Sequence, residues 1–116
     1  LWDEVKDRLD DAASAFSGGQ QQRMCLARTL ALEPDLLLLD EPTASLDRKS
    51  ADAIETLLEE LRETIPIIMV SHSLPQALRL AARFFVMSEG KIVRALTRGE
   101  IPDGGEEGEK FLESLL

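Results

Sequence analysis

Apolar positions along the chain of 116 residues change their spacing several times. Leu1, Val5 and Leu9 recur every four residues, which predicts an amphipathic helix over residues 1–11 whose apolar stripe needs a partner surface. A second helix is predicted over residues 17–32, closed before Pro34 because the residue ahead of a proline avoids the helical region. Residues 36–39 are continuously apolar and run into Asp40, Glu41 and Pro42, the pattern of a central parallel strand buried on both faces and halted by proline. A third helix is predicted over residues 48–63, with Ala51, Ile54, Leu58 and Leu61 on one face and Asp52, Glu55, Glu59 and Arg62 around the other. Residues 66–70 read as the next buried strand. Ser73 and Gln76 form a capping box that opens a helix through Leu74, Ala77, Leu78 and Ala81. Residues 84–87 and 91–96 are two short strands around a turn at Ser88, Glu89 and Gly90, residues 102–108 read as a linker, and residues 109–116 as a short terminal helix.

Alternation of helix and strand makes this an α/β chain. Two strand-helix-strand units of this length cross over right-handed in a parallel sheet and place ligands beyond the carboxyl ends of the strands. Asp40 and Glu41 follow the first strand and His72, the single histidine, follows the second, so both fall on one edge. In an extended strand end the two carboxylates point to opposite sides, which gives them different tasks. One can hold the water shell of a phosphate-bound magnesium while the other accepts a proton from an attacking water; the alternative is a solvated acidic turn. Ser17, Gly18, Gly19 and Gln20 open the second helix. They form a capping box, and two residues without side chains there also let backbone N–H groups and the positive dipole end approach a phosphate. His72 is open to a structural role or to a phosphate contact.

Thirteen Lys and Arg against 22 Asp and Glu leave a formal net charge of −9, with a pI near 4.5. That balance opposes a general grip on nucleic acid or anionic lipid, since phosphate backbones are held by clustered basic residues. The longest apolar runs fall far short of the roughly 20 residues that cross a bilayer, and the first residues are acidic rather than signal-like, so a soluble chain is expected. With 44% hydrophobic residues the chain has enough apolar material for a core. Cys25, the single cysteine, lies in an apolar helical stretch and reads as a small core residue.

In combination, Phe16-Ser17-Gly18-Gly19-Gln20-Gln21-Gln22-Arg23, the strand ending in Asp40-Glu41-Pro42-Thr43, Ala44-Ser45-Leu46-Asp47 and Val70-Ser71-His72 resemble the signature loop, Walker B strand, D-loop and switch histidine of ABC transporter ATP-binding subunits. The resemblance covers residues 17–96 in order and spacing. Within that superfamily the opening Leu1-Trp2-Asp3-Glu4-Val5-Lys6-Asp7-Arg8-Leu9 and the three glutamines are similar to the phosphate-import ATPases, whereas the tail after Leu96 is not. Phe16 stands where Leu is usual and Ser71 where Thr is common; neither removes a functional group.

The resemblance implies that Asp40 supports Mg2+, that Glu41 is the general base for the water attacking the γ-phosphate of ATP, and that His72 contacts that phosphate. Ser17, Gly18, Gly19 and Gln20 would bind nucleotide held by a second ATP-binding subunit, and Asp47 would line the dimer seam. It further implies transmembrane permease partners and a peripheral location on the cytoplasmic face of the inner membrane, with neither nucleic acid nor direct membrane insertion. A phosphate-cradling loop needs Gly, four residues, then Gly-Lys and Ser or Thr. Here the single Gly-Lys pair, Gly90-Lys91, is followed by Ile92 and has Phe85 where the first glycine belongs, so the chain carries no P-loop. The expected architecture is therefore the carboxyl-terminal part of a P-loop NTPase-like parallel-sheet core. Residues 1–98 would form the ATP-binding part, with 1–32 as the end of the helical subdomain and 33–98 as the core with its small β-hairpin. Residues 99–116 would be linker and terminal helix. The isolated chain is expected to be inactive; the rival expectations are a non-catalytic fragment or interaction module, and an ABC-type ATPase without a transport role.

Overall fold

The computed structural model describes residues 1–103 and 105–116. They form two compact units, Leu1–Val70 and Ser71–Leu116. The first unit contains α1 (Trp2–Val5), α2 (Gly18–Leu30), β1 (Leu37–Asp40), α3 (Arg48–Leu61) and β2 (Ile67–Val70). The second contains α4 (Leu74–Leu80), β3 (Arg83–Ser88), β4 (Lys91–Thr97) and α5 (Gly105–Ser114).

In the first unit β1 and β2 pair in parallel, Leu37 opposite Ile67 through Asp40 opposite Val70, with α3 as the crossover between them. Asp47 caps α3, its carboxylate accepting the Ser50 N–H at 3.2 Å. The predicted apolar face of α3 is the one that packs: Ile54 and Leu58 are buried, and Ala51 and Leu61 are half-buried. Val5, Phe16, Leu26, Leu37 and Pro42 are the other buried residues with apolar side chains in this unit.

The predicted helix over residues 1–11 is a single turn, Trp2–Val5. Three aspartates, Asp7, Asp10 and Asp11, are poor helix formers in a segment too short to hold a helix unaided. Arg8 works against the helix as well. Its Nε donates to Asp11 at 2.8 Å, its terminal nitrogen donates to the Ala15 carbonyl at 3.1 Å, and its guanidinium lies 4.2 Å from the centre of the Phe16 ring. Leu9 is left exposed. The strands also differ from expectation: Leu38, Ile68 and Val70 are exposed, so β1 and β2 are covered on one face rather than both. Cys25 is exposed, because α2 turns Gly19 and Leu26 inward and the neighbouring position points about 100° away.

In the second unit β3 pairs with β4 in an antiparallel hairpin and with no other strand among the described residues, so β2, α4 and β3 do not form the second parallel unit that was expected. The hairpin turn explains the pairing. Glu89 and Gly90 both have positive φ, at 51° and 76°, the sign a type I′ turn demands, and such a turn joins adjacent strands directly. Ser73 caps α4, its Oγ accepting the Gln76 N–H at 3.4 Å. Leu78, Phe84, Leu96, Ile101 and Leu112 form the core. The terminal helix starts at Gly105 rather than Glu109, so most of the expected linker is helical; its Gly104 lies outside the described residues. Gly108 is buried in α5, with room so limited that a Cβ would meet the Pro102 carbonyl at 3.2 Å and Leu78 at 3.3 Å. A glycine that reads as linker is thus the point where α5 approaches α4.

Candidate functional site

Ser17, with φ −62° and ψ 160°, stands just outside α2. Its Oγ accepts the Gln20 N–H at 3.2 Å, while the Gln20 side-chain oxygen accepts the Ser17 N–H at 3.0 Å. Both halves of the capping box are therefore present, and the Gln21 amide adds a bond to the Phe16 carbonyl at 2.9 Å. These bonds satisfy Ser17 and Gln20 and leave the N–H groups of Gly18 and Gly19 without an intrahelical acceptor, as the first turn of any helix must. The cap and a phosphate-facing role are compatible: the cap fixes the turn, and the glycine amides remain to serve an anion.

The two glycines lie against the start of α3. A Cβ on Gly18 would sit 3.3 Å from a methyl of Leu46, and one on Gly19 would sit 2.6 Å from both Cβ and Oγ of Ser50. The residues resembling a signature loop and those resembling a D-loop are thus in direct contact. Asp47, expected at a dimer seam, is engaged in capping; its bonds to Ser50 hold its carboxyl below the usual carboxylate range.

Asp40 ends β1 on its exposed face, in register with Val70. Glu41 continues the ladder through its N–H, which donates to the Val70 carbonyl at 2.9 Å, but it leaves the extended conformation. Its φ is 49°, so the simple alternation of side chains expected for the acidic pair stops at Asp40. A left-handed non-glycine residue costs about 1–2 kcal/mol, and such residues concentrate where function holds them. Ser45, with φ 68°, is a second such residue four positions on, and Pro42 between them is fully buried. The segment between β1 and α3 is therefore a fixed, strained turn rather than a loose acidic loop.

His72 is exposed in the stretch between β2 and α4, at the start of the second unit. Among the described residues no three His, Cys, Asp or Glu side chains gather as a metal cage. Magnesium takes one or two carboxylates and completes its shell with water and substrate phosphates, so an exposed carboxylate such as that of Asp40 has the donor chemistry such an ion uses. None of the site residues lines either of two shallow depressions of about 400 and about 270 Å3 elsewhere on the surface.

The ABC transporter family profile matches residues 1–44, the stretch that holds the 17–20 turn and both carboxylates. The phosphate import ATP-binding protein PstB of Mycoplasma genitalium is 45% identical over 101 residues, 87% of this chain and 31% of that protein. The chain belongs to the ABC transporter ATP-binding family. It spans about a third of the length of that curated relative. An ATP-binding cassette of an ABC transporter, MJ1267, shares the fold with TM-score 0.73 and 26% identity, over 95% of this chain and 42% of that one. The dimeric post-hydrolysis cassette MJ0796, bound to ADP and Pi, gives TM-score 0.62 and 34% identity over 72% of this chain and 36% of that one. The fold is accordingly that of part of the ABC ATPase domain, mixed helix and strand with a parallel sheet.

Sequence reasoning overlooked Ser50, against which Gly19 rests, and gave Leu46 only as part of the stretch resembling a D-loop, without its contact with Gly18. The signal for Ser50 was slight: a small residue at the third position of α3.

Proposed function

We propose that the complete protein is an ATP-hydrolysing subunit of an ABC importer, with phosphate as the solute. The observation that carries the reading is Glu41, held in a left-handed turn directly after Asp40 at the carboxyl end of a parallel strand. A strained, half-buried carboxylate at that edge suits a general base, which must be held in one orientation to take a proton from water. In this reading Asp40 holds the water shell of a magnesium ion, which supplies charge neutralisation to the phosphates when bound. His72 contacts the γ-phosphate from the end of β2. The amides of Gly18 and Gly19, with Ser17 and Gln20, meet the nucleotide of a second subunit, and Asp47 lies at the seam between the two. The named relative supports phosphate as solute, and the dimeric cassette with ADP and Pi supports a two-subunit sandwich. Closure of that sandwich would drive permease subunits from the cytoplasmic face of the inner membrane, where the protein is peripheral. No helix of the described residues is long and apolar enough to cross a membrane.

Replacing Glu41 by Gln in the complete protein keeps the side-chain shape and removes the base. Turnover should fall by about 10²–10⁴-fold while ATP binding persists, and the variant should accumulate as an ATP-dependent dimer in gel filtration. Hydrolysis within threefold of the parent would remove Glu41 from this role. Phosphate uptake by cells carrying the parent or the variant tests the solute in the same pair.

A further inference from the structure

We propose that Ser50 is a positioning residue for the 17–20 turn, acting through its contact with Gly19. The inference rests on the reading of that turn as a nucleotide-facing element and names what holds it in place. The contact is unusually close. A Cβ on Gly19 would lie 2.6 Å from the Ser50 Cβ, whereas carbon atoms meet at about 3.5–4.0 Å, so any side chain at position 19 displaces one helix start from the other by about 1 Å. Ser50 has little freedom to yield, because its N–H is held by the Asp47 carboxylate at 3.2 Å and it is the third residue of α3. Gly18 lies less tightly against Leu46, just ahead of α3, where a Cβ would meet a methyl group at 3.3 Å. Two consecutive glycines therefore seat the amide end of α2 on the segment that leads from Glu41 into α3. The turn and that segment are positioned as one body, and the size of residue 50 sets where the Gly18 and Gly19 amides stand.

A size exchange tests this, because a larger residue at position 19 alone would report on the contact and on nucleotide approach together. In the complete protein, Gly19→Ala should lower kcat for ATP at least tenfold with KM changed less than threefold, since a displacement of about 1 Å can cost 10²-fold when it moves a positioned group. Helix propensity favours alanine, so the loss would not come from a weaker helix. Adding Ser50→Gly removes both clashing atoms and should return kcat to within threefold of the Ser50→Gly protein. Adding Ser50→Ala instead keeps the clashing Cβ and should not restore it. Gly19→Ala with parental kcat would overturn the inference. So would a loss that Ser50→Gly fails to repair, which would place the demand for glycine on the nucleotide side and leave the proposed function standing. Failure of that function shows in the parent, which would hydrolyse no ATP and would remove the inference with it.

Discussion

Arg23 and Glu4 make the best-formed ion pair of the first unit, with guanidinium nitrogens donating to the two carboxylate oxygens at 2.7 and 2.9 Å. It ties the single turn of α1 to α2, a link the sequence pattern did not disclose because the partners lie 19 positions apart. The Arg23 bond lowers the Glu4 carboxyl from 4.5 to about 2. Folded Glu4 then holds its proton less readily than unfolded Glu4, so the stabilisation is complete above pH 4.5 and is lost as pH falls toward 2. Asp47, lowered by its bonds to Ser50, adds a loss of the same sign on acidification. Urea denaturation of the parent and of Glu4→Gln at pH 7, 4.5 and 3 should show the variant less stable at pH 7 and the difference shrinking as pH falls. A difference that is constant with pH would mean that the pair contributes packing and no charge. What was legible at this scale was residue type: Asp40, Glu41 and the two glycines stand out in the sequence, while the conformation of Glu41 and the company of Gly19 do not.

Elements were legible where one period governed a long stretch. The strong apolar face of α3 and the turn between β3 and β4 are as expected, because helical spacing and turn chemistry act locally. Expectation failed where tertiary partners decide. The stripe of Leu1, Val5 and Leu9 is regular, yet Leu9 finds no cover and the helix stops after one turn. The apolar runs of β1 and β2 promise burial on two faces and receive it on one. Gly108 shows the converse, a residue whose composition says linker and whose surroundings say packing. Its substitution separates the two. Gly108→Ala gains up to about 1 kcal/mol in helix propensity and meets contacts at 3.2–3.4 Å that need only small adjustments, so stability should change little. Gly108→Leu cannot be absorbed between α5, Pro102 and Leu78, and overpacking should cost about 1–3 kcal/mol in urea denaturation. If Gly108→Leu unfolded at the same urea concentration as the parent, the segment would behave as the linker its composition indicates.

For the whole molecule, the residues proposed for the site divide into groups that complete nothing alone. The chain supplies the amides of Gly18 and Gly19, the carboxylates of Asp40 and Glu41, and His72, but its sequence has no Gly-Lys in the setting of a phosphate-cradling loop. Such a loop makes most of the contacts to the phosphates of a nucleotide, through consecutive backbone N–H groups and one lysine. Two glycine amides at one helix end are a small fraction of that set. The formal net charge of −9 acts in the same direction, since it repels a polyanion at every distance within the screening length. ATP affinity of the 116-residue chain should therefore be weaker than a dissociation constant of about 10 μM, or about 7 kcal/mol. Titration calorimetry with Mg-ATP at low and at physiological salt measures it, the low-salt arm exposing the charge repulsion as still weaker binding. A tighter constant would show that the 17–20 turn and the acidic pair bind nucleotide by themselves, and the geometry of Gly19 on Ser50 would then be part of a complete site rather than one half of a shared one.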